Sequence, residues 1–398
     1  MSDPPISLRD LPLILGYDAS STTGPRTGVG VYTAELLNAL AEELPDRWRI
    51  RAFVNSRRHP LPDDPWTRSP RIDIRAFRRS GKLLLRSWQF LGGPPIERFV
   101  DAVELYHSPA GYVTPSRNAR RVISVHDLFF RGHPEVRDAY GGRYFDATYP
   151  KGLPLQDRII TFARTTADEL TTAYAIDPAR IVVIPHGVDA RFFTPEKDDD
   201  ALPESIRGKE VFLAVGSAGP RKNHVGLIEG YAQARQNSDA ARFPLLVMVG
   251  HVDAASAAEI AAAVEKHKLG GAVVLPGYVS NLSLRALYRR AVALVVPSHS
   301  EGFGLPLLEA MACGCPVIAA KAGSLPEVAA DAAILVPPGD DRALADALRQ
   351  IAGNSGARER LVDAGIARAK LFTWRAAAHK TIAVYEDVLS EHRPRPSQ

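Results

Sequence analysis

The 398-residue chain is predicted to be an α/β protein of two Rossmann-like domains facing each other across a cleft. Short runs rich in Val and Ile alternate with helix-like stretches over nearly the whole length. Strands buried on both faces of a parallel sheet look like this. The alternation breaks once, between residues 190 and 209, where prolines and acids replace any period. The length also suits two domains that each bury a core.

In order, strands fit residues 13–18, 49–55, 102–108, 121–127, 158–163 and 181–187. A helix fits 30–44, where Thr33, Leu36, Leu37, Leu40, Ala41 and Leu44 share a face. Another fits 166–175, opened by Thr166 with Glu169 as its capping-box partner. In the break, Asp198, Asp199 and Asp200 read as a solvated charge run rather than a metal site. Strands then resume at 211–217, 245–250, 272–278, 293–299, 316–321 and 333–338, and the stretch from about 341 is helical. The domain limits that follow are 1–190 and 191–373.

No apolar run is long enough to cross a bilayer, and the first residues lack the pattern of a secretion signal. The expected location is cytoplasmic. Cys313 and Cys315 lie in one apolar segment and read as buried thiols. A net charge of +4 with no nucleic-acid motif argues against a nucleic-acid partner. The basic residues are uneven, however. Arg68, Arg71, Arg75, Arg78, Arg79, Lys82 and Arg86 face only Asp73, and Trp88 and Phe90 follow. Residues 68–91 are either a solvated segment or a patch for an anionic membrane surface, the inner membrane face, or for a phosphate-bearing acceptor.

Candidate chemistry gathers at strand ends. After the first strand, Gly28 and Gly30 in "TGVGVY" let backbone approach a ligand at a helix start. A dinucleotide fingerprint would need a third glycine and an acid about 20 residues on. Thr33 and Asn55 stand in the relevant places, which argues against a dehydrogenase. His126 and Asp127 end the fourth strand. The imidazole could bond a sugar hydroxyl, with Asp127 fixing its tautomer or binding an acceptor. Arg221 and Lys222 follow a small-residue turn at a helix start. Cations are disfavoured there unless they share the helix N-terminus with a phosphate. Finally, "EGFGLPLLEAMACG" places Glu301 before a short helix and Glu309 within it. Phe303, Gly304 and Leu305 offer amides at its start. A carboxylate in so apolar a helix is costly unless it binds something, and ribose hydroxyls suit Glu309.

These motifs resemble the retaining glycosyltransferases of the GT-B fold, in the large family that contains bacterial mannosyltransferases and sucrose synthases. Glu301 and Glu309 carry the resemblance as E-x7-E, with "GPRKN" at 219–223, "TGVGVY" at 27–32, "VHD" at 125–127 and "IPHGVD" at 184–189. The resemblance implies hexosyl transfer from a nucleotide diphosphate sugar to a hydroxyl of a glycan or lipid-linked saccharide, with no cofactor and no metal. GDP-mannose is the favoured donor, with a UDP-sugar as the alternative. Arg221 and Lys222 would hold the diphosphate, Glu309 the ribose and Glu301 the donor hexose. Gly302, Phe303, Gly304 and Leu305 would line the donor, and Gly28 would contact phosphate. Tyr278 and Val279 would bracket the base, and His126 would lie beside the transferred sugar. Some relatives carry an arginine where this chain has Ser217, which leaves Arg221 to compensate. The segment from about 374 to 398 would fold back onto the N-terminal domain. The alternatives are an epimerase of the same fold and a non-catalytic nucleotide-sugar-binding protein.

Overall fold

The computed structural model describes residues 12–25, 27–133, 141–194, 202, 204–236, 238–240 and 242–391. Two compact units divide at Gly187/Val188 and again at Thr373/Trp374, so the first unit takes both ends of the chain. The run Asp198–Asp200 lies outside the described residues.

The first unit is a parallel sheet of β1 (Leu13–Asp18), β2 (Trp48–Asn55), β3 (Ile72–Phe77), β4 (Leu105–Ser108), β5 (Arg120–Ser124), β6 (Arg158–Thr161) and β7 (Ile181–Val183). Its order is β3-β2-β1-β4-β5-β6-β7. Tyr17 stands opposite His107 across β1 and β4. β4, the inner end of β5 and β6 are buried on both faces, which is why they read as unbroken apolar runs. The helix Trp374–Ser390 packs beside Gly28–Glu43 and completes this core, with Tyr385 and Ala378 fully buried. Ion pairs tie it down. Arg158 pairs with Asp387 at 2.5 Å and also with Glu391, and Arg375 lies 3.0 Å from Glu43.

The second unit is a parallel sheet of β8 (Val211–Val215), β9 (Leu245–Val249), β10 (Val273–Gly277), β11 (Ala291–Val296), β12 (Val317–Ala320) and β13 (Ile334–Val336). Its order is β10-β9-β8-β11-β12-β13. Its core joins Phe212, Leu246 and Val295 of the sheet to Leu227, Tyr231 and Leu348 of the covering helices.

Three local expectations change. Residues 72–77 form edge strand β3, inside the basic run read as surface. Alternating charge on an edge strand masks the apolar signal there. Within that run Arg68 pairs with Asp63, Arg71 with Asp46, and Arg75 with Asp73 and Asp101. Thr166 does not cap its helix. The helix starts at Arg164, and Thr166 is buried inside it. β5 stops at Ser124, so His126 and Asp127 lie in the loop beyond the strand.

Candidate functional site

In the second unit the strand order reverses between β8 and β11. Ligands of such sheets bind outside the strand C-termini at the reversal. The chain leaving β8 makes a 3-10 turn, Pro220–Lys222, ended by Asn223 in the left-handed conformation. Asn223 Oδ1 accepts from the Gly226 amide at 3.2 Å and caps the following helix. The chain leaving β11 joins that turn, since the His299 amide donates to the Arg221 carbonyl at 2.9 Å.

This stitching brings Arg221, Lys222 and Glu301 together. Arg221 Nη1 donates to Glu301 Oε2 at 2.5 Å and to the Ser300 carbonyl at 2.9 Å. Lys222 Nζ donates to Glu301 Oε1 at 2.6 Å, and Ser298 Oγ to the same oxygen at 2.7 Å. Glu301 is only 8% exposed. Burial alone would raise its pKa, but Lys222 and Arg221 overcome that and hold it at about 2. Its backbone is clamped as well, because Ser324 donates to the Glu301 carbonyl from both Oγ, at 2.9 Å, and its amide, at 3.1 Å. Gly323 makes this approach possible. It has φ +53°, and a Cβ there would sit 2.6 Å from the Glu301 carbonyl oxygen.

Two cations share this one carboxylate. Beside them starts the helix Leu305–Ala312. Its cap residue, Gly304, is left-handed and has no side chain to satisfy the first amides. Phe303 is buried with its ring against Phe372, which leaves its backbone as the part that could serve a ligand. Glu309, half-buried on that helix, accepts from the Tyr288 hydroxyl at 3.0 Å. Burial pushes Glu309 up to about 7, against the pull of that hydroxyl, and Asp189 adds to the rise. Ser217 and Tyr278 are exposed and Val279 is half-buried. Gly302 is half-buried in the same loop as Glu301.

The remaining candidates belong to the first unit. Gly28 opens the helix Gly28–Glu43, and a Cβ there would meet nothing within 4 Å, so its surroundings stay open to a ligand. Gly30 differs from expectation. Its amide bonds Thr27 Oγ1 at 3.3 Å, and a Cβ would lie 2.6 Å from the Ser21 carbonyl. Its smallness therefore seats the Ser20–Thr22 turn on the helix and leaves no amide for a donor. His126 Nε2 donates to the Pro109 carbonyl at 2.8 Å. That carbonyl fixes the tautomer, a role expected of Asp127, whose Oδ1 instead accepts from the Phe129 amide at 3.2 Å. Burial holds His126 below its usual pKa, although the Pro109 bond opposes it. The imidazole is therefore neutral, with Nδ1 as the acceptor atom.

Known proteins resemble this chain in sequence and fold. Residues 195–368 match the family model described as Glycosyl transferases group 1, and residues 26–192 match Glycosyltransferase Family 4. Both units are glycosyltransferase domains. The glycosyltransferase is 29% identical over 377 residues to O-antigen chain mannosyltransferase B of Escherichia coli, across 91% of this chain and 96% of that protein. It superposes on sucrose-phosphate synthase from Thermosynechococcus elongatus with a TM-score of 0.75 at 23% identity, over 95% of this chain and 99% of that one. Anabaena HepE in complex with UDP gives 0.65 at 17% identity, over 94% of this chain and all (100%) of that one. The fold is accordingly the GT-B type.

Several side chains of this glycosyltransferase escaped the sequence reading. Ser298 and Tyr288 each hold one of the two glutamates. Tyr32, His186 and Trp374 surround His126: Tyr32 meets it edge-on at 5.3 Å, and Tyr32 stacks on His186 at 4.7 Å, with Trp374 stacked beyond. Ser298 stands three positions before Glu301 and could have been suspected. The aromatic cluster draws on three distant segments, and no local pattern announces it. Among the described residues no cluster of His, Cys, Asp and Glu could hold a metal ion, and no helix is long and apolar enough to cross a membrane.

Proposed function

We propose that the protein transfers a mannosyl group, with retention of anomeric configuration, from GDP-mannose to a hydroxyl of a glycan or lipid-linked saccharide. A UDP-sugar is the competing donor. The observation that carries this proposal is the Arg221–Lys222–Glu301 triad beside an uncapped helix start at the β8/β11 reversal. As the glycosidic bond breaks, negative charge grows on the departing diphosphate, and preorganised cations and amides lower that barrier. Glu301 holds both cations in place before the donor arrives. Its Oε2 accepts one bond, so a lone pair remains for a hexose hydroxyl. Glu309 takes the ribose hydroxyls, and Tyr278 flanks the base. Front-face attack, with the leaving diphosphate accepting the acceptor's proton, accounts for retention without a carboxylate nucleophile.

The likeness to an O-antigen chain mannosyltransferase supports the sugar and the polymeric acceptor. The UDP complex of HepE supports a nucleotide donor and keeps UDP in contention. For a lipid-linked acceptor the support is the helix Gly81–Leu91. Leu83, Phe90 and Leu91 are 66%, 73% and 80% exposed there. Arg78, Arg79, Lys82 and Arg86 flank them with no acidic partner among the described residues. A cationic, apolar helix face of this kind suits an anionic lipid surface.

The test is nucleotide release from GDP-mannose, UDP-glucose and UDP-galactose, with and without saccharide acceptors, followed by NMR of the product's anomeric proton. Acceptor-dependent GDP release with an α-linked product supports the proposal. Release that ignores acceptor points to an epimerase or hydrolase, and binding without turnover to a carrier.

A further inference from the structure

Four polar side chains buried in the first unit form one continuous chain of hydrogen bonds that the chemistry above does not use. Tyr385, on the helix Trp374–Ser390, is 0% exposed, as are His107 on β4 and Ser124 on β5. Tyr32, on the helix Gly28–Glu43, is 2% exposed. Tyr385 Oη lies 2.6 Å from His107 Nδ1, and His107 Nε2 lies 2.8 Å from Ser124 Oγ. Ser124 Oγ in turn lies 2.9 Å from Tyr32 Oη. Polar groups this deep are costly unless each finds its neighbour. Burial, with His126 adding to it, holds the His107 pKa at about 3, so the imidazole is neutral. It donates at one nitrogen and accepts at the other, which makes the two ends of the chain depend on one another.

The chain ends on a ring that touches His126. Tyr32 meets that imidazole edge-on at 5.3 Å, with the planes at 86°, and the Phe162 ring lies 4.8 Å from it. Phe162 and His186 each hold the Tyr32 ring at 4.7 Å. The backbone link is short as well. Ser124 ends β5 two positions before His126, so the hydroxyl that anchors Tyr32 rides on the strand that delivers His126. The Pro109 carbonyl fixes the Nε2 end of the imidazole. One hydrogen bond leaves a ring free to tilt about it, and the Tyr32 ring removes that freedom. Tyr385 is remote from this contact, since its own ring meets Trp48 and His107.

We propose that Tyr32, Ser124, His107 and Tyr385 are positioning residues: the hydrogen-bond chain fixes the Tyr32 ring, and that ring sets the plane of the His126 imidazole and the aim of Nδ1. This inference rests on the glycosyltransferase reading, in which His126 lies beside the transferred sugar. A misaimed imidazole costs rate, while the proposed donor contacts of Arg221, Lys222, Glu301 and Glu309 stay in place. The helix Trp374–Ser390 thereby enters the reaction without touching a reactant.

The experiment compares wild type with Tyr32→Phe and Tyr385→Phe, each of which keeps its ring and loses one hydroxyl. NMR of the full chain carrying isotope-labelled histidine follows the His126 ring, assigned with His126→Gln. Nucleotide release from GDP-mannose, UDP-glucose and UDP-galactose, with the same saccharide acceptors, gives kcat and KM, and Tm reports folding. Both variants should shift the His126 ring signals and lower kcat about tenfold, with donor KM within about twofold of wild type. The shift from Tyr385→Phe is the decisive signature, because a side chain that only fills the core would leave a ring it does not touch unmoved. Three results overturn the inference and leave the transfer reading standing: unmoved His126 signals, kcat within about twofold of wild type, or a kcat loss no larger than the drop in folded fraction at the assay temperature. Where Tyr385→Phe does not fold, Tyr32→Phe decides on the same criteria. Should wild type release nucleotide from none of the three donors, the transfer reading fails and the inference falls with it.

Discussion

Glu301 and Glu309 lie on one short stretch of chain and are perturbed in opposite directions. Glu301 is held at about 2 by two cations, and Glu309 is pushed up to about 7 by burial. Near neutral pH the first is fully ionised and the second is half protonated. On the proposal that Glu309 accepts from ribose hydroxyls, which needs its carboxylate form, the donor KM should climb as pH drops below about 7, by up to about tenfold per unit. In Glu309→Gln that pH dependence should vanish, and initial rates across pH 5.5–8.5 would settle it. For stability the sign is the reverse of a paired acid. A carboxyl with a raised folded pKa binds its proton more tightly when folded, so its contribution is lost as pH rises from the ordinary 4.5 towards 7. Glu301, with a depressed pKa, contributes above 4.5 and loses that contribution as pH falls towards 2. Arg221→Ala should lower kcat/KM by about 100–1000-fold. Lys222→Ala should do the same if both cations meet the leaving group, and steady-state kinetics would separate them.

At the scale of elements, the Gly81–Leu91 helix has an inner side on the core, where Trp88 is buried with Leu84 and Leu85 beside it. Its outer side carries Leu83 and Phe90. Replacing Leu83, Phe90 and Leu91 with Gln should abolish binding to vesicles containing phosphatidylglycerol and leave Tm unchanged. Neutralising Arg78, Arg79, Lys82 and Arg86 should weaken it by about 1 kcal/mol per charge. Equal sedimentation of wild type and variants with vesicles would remove the membrane role. The strands were the readable elements, because burial on both faces writes an unbroken apolar run. β3 was not, since an edge strand needs only one apolar face and carries charges as well. The turn bearing Arg221 and Lys222 was legible because cations before a helix contradict its dipole. The ion pairing that resolves the contradiction was not, since Glu301 lies far along the chain. Gly30 misled for a related reason. A glycine near a helix start can serve a ligand or a close backbone contact, and only the Ser21 carbonyl 2.6 Å from its absent Cβ distinguishes the two.

For the whole molecule, the side chains proposed to bind the donor, Arg221, Lys222, Tyr278, Glu301 and Glu309, all fall within residues 188–373, a unit with its own core. GDP at about 100 times its Kd should therefore stabilise that unit by about 2.7 kcal/mol and shift one of two calorimetric transitions, leaving the other in place. A single transition that moves as one would show the units to be thermally coupled.

The helix Trp374–Ser390 has one more consequence. It finishes the core of a unit whose last strand was made about two hundred positions earlier and the rest earlier still, with Tyr385 wedged against Trp48 and His107. A ribosome delivers the middle of the chain before that helix, so the later-born unit can mature while the first-born waits, incomplete, for its last piece. Nascent chains stalled before Trp374 should therefore be the form that chaperones hold.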